Sequence, residues 1–300
     1  MTEKEKLTGI ISSAIRYSAS HLPDDVLSRL NEMKENERKH GDNALACSFY
    51  DAMLKNAAEA GRLGVPLCQD TGLIQFFARV GTRFPCIGAL NASLRDAVLV
   101  ATEKAPLRPN CVELFGNGNT GNNMGTNVPG IDIELMPGRD DLTLYIYMAG
   151  GGCSLPGAAE VFPPLEGMDA AIKFILDRVA KYGANACPPL YIGVGFGGSA
   201  DVAAKLSKKA LLRDIGVRNE NPLAAELEEK LEEGLNSLGI GPGGVGGTRS
   251  VMGVSVEYAG RHPASFAVGL SFGCWVHRRA VVHLSADLEP SMPSHKGAEI

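Results

Sequence analysis

Glycine supplies 36 of the 300 residues, well above the roughly 7% of an ordinary chain, and the excess is gathered rather than spread. It concentrates in Gly150-Gly151-Gly152, between Gly193 and Gly198, and between Gly241 and Gly247. A residue without a Cβ lets the backbone turn through left-handed conformations and approach another group closely. Clustered in this way, glycine marks loops built for close backbone approach, not a flexible linker. The chain must therefore fold so that several tight bends have something to close around.

Apolar residues make up 45% and charged residues 21%, the balance of a globular chain long enough to bury a large core. The formal net charge is −5 and no basic tract occurs, which argues against nucleic acid or an anionic membrane as the main partner. No stretch approaches the apolar length of a membrane span. The start, Met1-Thr2-Glu3-Lys4-Glu5-Lys6-Leu7, lacks an apolar segment followed by a small-residue cleavage site, so a cytoplasmic setting is expected. Seven cysteines without paired spacing fit reduced thiols better than disulfides.

The first sixty residues read as helical. Pro23-Asp24-Asp25 opens one helix with acids in its first turn, and residues 44–63 form another with Phe49, Met53 and Ala57 on one face. Residues 73–80 follow as a buried strand and 93–104 as a helix. Residues 142–148 alternate aliphatic with polar-bearing side chains, which predicts a half-buried strand. Residues 131–136, joined to it through Pro137-Gly138, are its expected hairpin partner. Helices at 168–182 and 200–212 flank a strand at 190–194.

Asn221-Pro222 caps the clearest helix, with Leu223, Leu227, Leu231, Leu235 and Leu238 as its stripe. Glu226, Glu228, Glu229, Glu232 and Glu233 read as its solvated face. Three strands are expected near 251–258, 266–271 and 280–286. Helices first and strands late predict an α+β fold: a helical N-terminal part packed on a mixed, largely antiparallel sheet with flanking helices. No linker divides the chain, so residues 1–300 are expected to form a single large domain, with 289–300 as a loose tail.

Two glycine clusters imitate nucleotide motifs. Gly193-x-Gly195-x-x-Gly198, after a strand and before a helix, is formally a dinucleotide fingerprint. The acidic residue that should end a second strand about twenty residues later is missing, because Asp214 follows a helix directly. Gly241-Pro242-Gly243-Gly244-Val245-Gly246-Gly247-Thr248 resembles a phosphate loop without its lysine, so nucleotide hydrolysis is not expected. Such bare amides can still hold a carboxylate, and tight turns with close packing are the plainer reading.

Three cysteines stand where the backbone bends: Cys68 in Pro66-Leu67-Cys68-Gln69-Asp70-Thr71-Gly72, Cys187 in Asn185-Ala186-Cys187-Pro188-Pro189, and Cys274 in Gly273-Cys274-Trp275. A free cysteine is usually a small buried hydrophobe, the reading taken for Cys47 within a helix and Cys86 after a proline. No C-x-x-C pair exists, which argues against structural zinc. Three thiolates brought together by a fold can instead hold an iron–sulfur cluster and leave one iron without a protein ligand. Such an iron is a Lewis acid. Cys153, beside the triple glycine, could approach such a site without being a ligand.

These segments recur in a known order. Cys68-Gln69-Asp70-Thr71-Gly72, Pro106-Leu107-Arg108-Pro109-Asn110, Asn119-Thr120-Gly121-Asn122-Asn123, Gly150-Gly151-Gly152, Cys187-Pro188-Pro189, Leu238-Gly239-Ile240-Gly241-Pro242 and Arg261-His262-Pro263 together resemble the class I, iron–sulfur fumarate hydratases and the L(+)-tartrate dehydratase α subunits. The likeness runs from about residue 20 to 288. Gly150-Gly151-Gly152-Cys153 and Gly273-Cys274-Trp275-Val276-His277-Arg278-Arg279 are closer to the tartrate dehydratase form.

The resemblance implies a 4Fe-4S cluster on Cys68, Cys187 and Cys274. It further implies Asp70 and His262 as catalytic groups, and Gln69, Arg108, Gly151 and Gly152 as substrate contacts. The residue types suit those roles. A guanidinium grips a carboxylate through two parallel hydrogen bonds, glycine amides donate without a side chain in the way, and an imidazole or carboxylate can carry a proton. The implied reaction is dehydration of a 2-hydroxy dicarboxylate, tartrate to oxaloacetate and water. The alternative activity is hydration of fumarate to malate. A non-catalytic iron–sulfur scaffold or redox sensor is a third reading, though Asp70, Arg108 and His262 serve only an enzyme. Single-chain members continue into a second domain that this sequence, ending at Ile300, does not contain. A separate β subunit is therefore expected, with two copies of each.

Overall fold

Local sequence sets most of the element boundaries. In chain order they are α1 (Glu3–Ser20), α2 (Asp24–His40), α3 (Ala44–Leu63), β1 (Leu73–Gly81), α4 (Leu90–Lys104), β2 (Gly130–Met136), β3 (Leu142–Ala149), the single turn α5 (Gly151–Ser154), β4 (Ala158–Phe162), α6 (Gly167–Tyr182), β5 (Leu190–Gly197), α7 (Ala200–Ala210), α8 (Pro222–Asn236), β6 (Val251–Tyr258), β7 (Phe266–Gly273), β8 (Arg278–Leu284) and β9 (Pro290–Ser291). Thr2 and Glu5 close a capping box at the start of α1. Asn221 accepts from the Leu223 amide at the start of α8, with Pro222 in its first turn.

The structure, a computed structural model, describes residues 2–116 and 118–300. It is α+β, as the sequence predicts, but with two mixed sheets in place of one. Contacts group the chain into two compact units. The first comprises Met1–Asp24, Asn56–Gly150 and Arg278–Ile300; the second comprises Asp25–Lys55 and Gly151–His277. Both are discontinuous in sequence, which is why no linker separates them.

In the first unit five strands run in the order β2-β1-β3-β8-β9. Ile74, Phe76 and Val80 of β1, Leu144 and Ile146 of β3, and Val282 of β8 share a core with Leu7, Ile11 and Ile15 of α1 and Leu94 and Val98 of α4. The expected hairpin of β2 with β3 does not form. β1 lies between them, parallel to β2 and antiparallel to β3. Burial explains the order. Every position of β3 except Tyr145 is buried, so it is not half-buried as its alternation suggests and needs a strand on each side. β2, with Ile133 and Leu135 exposed, tolerates an edge.

The loose tail is also corrected. Pro290–Ser291 pairs with β8, Met292 enters the core, and His295 is only 3% exposed.

In the second unit four strands run in the order β4-β7-β5-β6. The even residues of β5, Ile192 and Val194, join Val254, Val256, Leu270 and Phe272 against Ala171, Ile175 and Val179 of α6 and Leu231 and Leu235 of α8. Gly193, Gly195 and Gly197, on the opposite face, lie against α7. A Cβ on Gly193 would stand 2.2 Å from the Ser207 carbonyl oxygen, and one on Gly195 would stand 2.1 Å from that of Ala203. Close strand–helix packing thus accounts for Gly193 and Gly195 of the fingerprint, while a Cβ on Gly198 would stand 3.3 Å from the Gly260 carbonyl oxygen.

The acidic face of α8 is only partly solvated. Glu228 and Glu232 are buried. Arg213 pairs with Glu228, while Arg218 (2.8 Å) and Arg29 (2.6 Å) both pair with Glu232.

Candidate functional site

The Cys68 turn is built by anchors on both sides. Before it, the Leu67 amide donates to the Ala19 carbonyl (2.9 Å) and Asn56 Nδ2 donates to the Leu67 carbonyl (2.9 Å). After it, Asp70 Oδ1 accepts from the Gly72 amide and from Asn110 Nδ2, each at 3.0 Å. The first of these is an Asx turn, the local role expected of Asp-Thr-Gly. Gly72 adopts φ +78° and lies so near Ala149 that a Cβ would sit 2.5 Å from its carbonyl carbon. A Cβ on Gly150 would fall 2.8 Å from Asp70 Oδ2. Glycine is therefore required on each side of this carboxylate, by backbone conformation in one case and by close approach in the other.

The loop bearing Arg108 is held to the same turn. Thr71 Oγ1 donates to the Arg108 carbonyl (3.1 Å), as does Asn123 Nδ2 (3.1 Å). Asn123 is 2% exposed, adopts φ +62°, and accepts from the Asn110 amide at 2.7 Å. The Arg108 and Gln69 side chains are exposed. The first unit thus brings Cys68, Gln69, Asp70 and Arg108 together. Sequence reading gave no role to Asn110, Asn123 or Arg278, although all three lie in segments it singled out. Asn110 and Asn123 are the clamps between the two loops. Arg278 Nη2 donates to the Asp70 carbonyl at 2.8 Å.

The second unit gathers the other candidates in two places. The Trp275 amide donates to the Cys187 carbonyl at 3.2 Å, which sets the residue after Cys274 against the Cys187 turn. Cys187 takes φ 56° and ψ 63°, a left-handed conformation uncommon for a residue with a Cβ and characteristic of functional turns. Gly152 lies beside the same turn, its Cβ position 3.6 Å from the Asn185 carbonyl oxygen. The phosphate-loop lookalike is a buttress: the Gly243 amide donates to the Pro188 carbonyl at 2.9 Å.

Gly151 and Gly152 form the exposed start of α5. Burial pulls the Lys208 ammonium on α7 below its ordinary range, partly opposed by nearby Cys153. His262 is apart, exposed on the β6–β7 loop. Its Nδ1 accepts the Ala264 amide at 3.1 Å, so in the neutral ring the proton sits on Nε2, as a donor.

The donor set fits an iron–sulfur group. Cys187 is exposed and Cys68 and Cys274 are partly exposed, as is Cys47 within α3, while Cys86, Cys111 and Cys153 are buried. Among the described residues no three His, Cys, Asp or Glu side chains form a site for a single metal ion. A cubane makes a different demand, because each thiolate binds a separate iron.

Residues 8–283 match the family model described as Fumarate hydratase (Fumerase). The chain belongs to the fumarate hydratase family. It is accordingly a hydro-lyase. Similar members include the L(+)-tartrate dehydratase subunit alpha of Escherichia coli strain K12 and that of Shigella sonnei, each 47% identical over 290 residues, which span 97% of this chain and 94% of the relative. The putative L(+)-tartrate dehydratase subunit alpha of Methanocaldococcus jannaschii is 36% identical over 285 residues, 94% of this chain and 99% of its own length. No helix among the described residues is long and apolar enough to cross a membrane.

Proposed function

We propose that the chain is the α subunit of an iron–sulfur hydro-lyase that dehydrates tartrate to oxaloacetate and water. The observation that carries this reading is near full-length likeness to tartrate dehydratase α subunits, supported by the doubly anchored turn that sets Asp70 two residues after Cys68. Cys68, Cys187 and Cys274 would hold a 4Fe-4S cluster, whose open iron supplies Lewis-acid polarisation of a substrate hydroxyl when bound.

The chain's own residues do the rest. Arg108, on a loop fixed through its own carbonyl, grips a substrate carboxylate with two parallel hydrogen bonds. Gln69 and the Gly151 and Gly152 amides orient the diacid. Asp70, held in one rotamer by Gly72 and Asn110, exchanges a proton beside the departing hydroxyl. His262 donates through Nε2 to a substrate oxygen. Loss of hydroxide from one carbon and a proton from its neighbour gives an enol, which relaxes to oxaloacetate. A separate β subunit, in an α2β2 complex, completes the substrate pocket, and the assembly works in the cytoplasm.

Anaerobic reconstitution with iron and sulfide, followed by Mössbauer spectroscopy, tests the reading. One iron of the cluster should respond to tartrate. If no dicarboxylate perturbs any iron, the redox-sensor reading replaces this one. The family description favours a second substrate, fumarate. Turnover of malate and fumarate in preference to tartrate by the chain with its partner subunit would select it.

A further inference from the structure

Arg278 is the first residue of β8, opposite Met148 of β3, and it is 2% exposed. Its Nη2 donates to the Asp70 carbonyl oxygen at 2.8 Å. Its Nε and Nη1 are buried with no hydrogen-bond partner among the described residues. Arginine cannot shed its proton in a protein, so the buried charge cannot be relieved by neutralisation. A carbonyl oxygen brings only a partial charge. An ionised group removed from water in this way needs a compensating anion.

The chemistry of the turn it touches says which anion. The carbonyl that Arg278 holds belongs to the residue two places after Cys68. Three thiolates and the sulfides of a 4Fe-4S group leave that group net anionic. We propose that Arg278 is a positioning residue for the cluster: it fixes the Cys68–Asp70 turn through the Asp70 carbonyl and directs its remaining N–H groups to the anionic iron–sulfur group bound at Cys68. The inference rests on the function proposed above. It adds a partner of the kind that, in metal sites, orients ligands and tunes the metal from outside the coordination shell.

Two variants of the full chain test it after anaerobic reconstitution, with iron retention against a chelator and midpoint potential as readouts. R278K keeps the charge, and R278Q keeps donors without it. R278Q should hold iron about 10-fold or more less tightly, and its midpoint should move to more negative potential, because a nearby cation favours the reduced cluster. R278K should retain iron like the unmodified chain. Unchanged retention and midpoint in R278Q overturn the proposal, as does an R278K as defective as R278Q. If circular dichroism shows R278Q unfolded, R278K decides: unmodified retention and midpoint support the role, and loss of either overturns it. An unmodified chain that takes up no cluster overturns the iron–sulfur function itself, a separate result.

Discussion

Asp70 and Arg108 differ in what binds them to the fold, and their variants should differ accordingly. Asp70 uses its carboxylate locally, accepting from the Gly72 amide and Asn110. An asparagine oxygen can accept both hydrogen bonds but carries no proton to exchange. Asp70→Asn should keep iron content while lowering kcat by about 10²-fold or more, measured as oxaloacetate formation by the reconstituted complex. Cluster loss in parallel with activity would leave Asp70 a turn residue only. Arg108 is anchored through its backbone, so its side chain can change without moving the loop. Arg108→Lys should raise the KM for tartrate about 10-fold, with a smaller change in kcat, because a point charge replaces a two-pronged grip. An unchanged KM would remove Arg108 from the site.

At the scale of elements, α8 shows where a pattern of residue types stops being informative. Leucines and glutamates recur along it, yet Leu223 is exposed while Glu228 is fully buried. Glu228 accepts from the Val256 amide at 2.7 Å and the Asn219 amide at 2.9 Å, besides pairing with Arg213. Glu228→Gln leaves Arg213 short of its buried partner and should lower unfolding stability by about 3 kcal/mol, read from the urea midpoint. Glu226→Gln, on the exposed Lys230 pair of the same helix, should leave that midpoint where it is. A glycine of β5 makes the same point about packing. Gly195→Ala places a methyl group against backbone of α7 and should cost about 2 kcal/mol or more, read by the same titration.

Stability of the whole molecule should depend on pH through His295. Burial holds its imidazole down to about 4 from the ordinary 6.5. Its Nδ1 lies 2.9 Å from Ser294 Oγ and its Nε2 3.3 Å from the His21 carbonyl oxygen. Between those pH values the unfolded chain binds a proton that the native chain does not, so acid favours unfolding. The contribution, roughly 3 kcal/mol at 1.36 kcal/mol per pH unit, is fully present above pH 6.5, falls as pH drops, and is gone below pH 4. Urea unfolding from pH 4 to pH 8 should show this slope, and His295→Gln should flatten it. An equal slope in the variant would assign the acid sensitivity elsewhere.

Periodicity, caps and turn residues are short-range, so the helices, most strands and the motif-bearing turns could be read from residues in order. The α3 bounds and the Asn221 cap follow from side chains a few positions apart. Partner choice is long-range, and the structure alone decided it. β3, buried at every position but Tyr145, lies between β1 and β8, while β2 with its exposed side chains takes the edge beyond β1. The final residues are ordered because β8 offers a free edge to Pro290–Ser291 and the core takes Met292. Asn110, Asn123 and Arg278 acquire roles only when loops far apart in sequence meet, since a polar side chain's work is set by what surrounds it. The cysteines proposed as cluster ligands could be singled out from the turns that carry them; the anchors that hold the Cys68 turn came from tertiary contact.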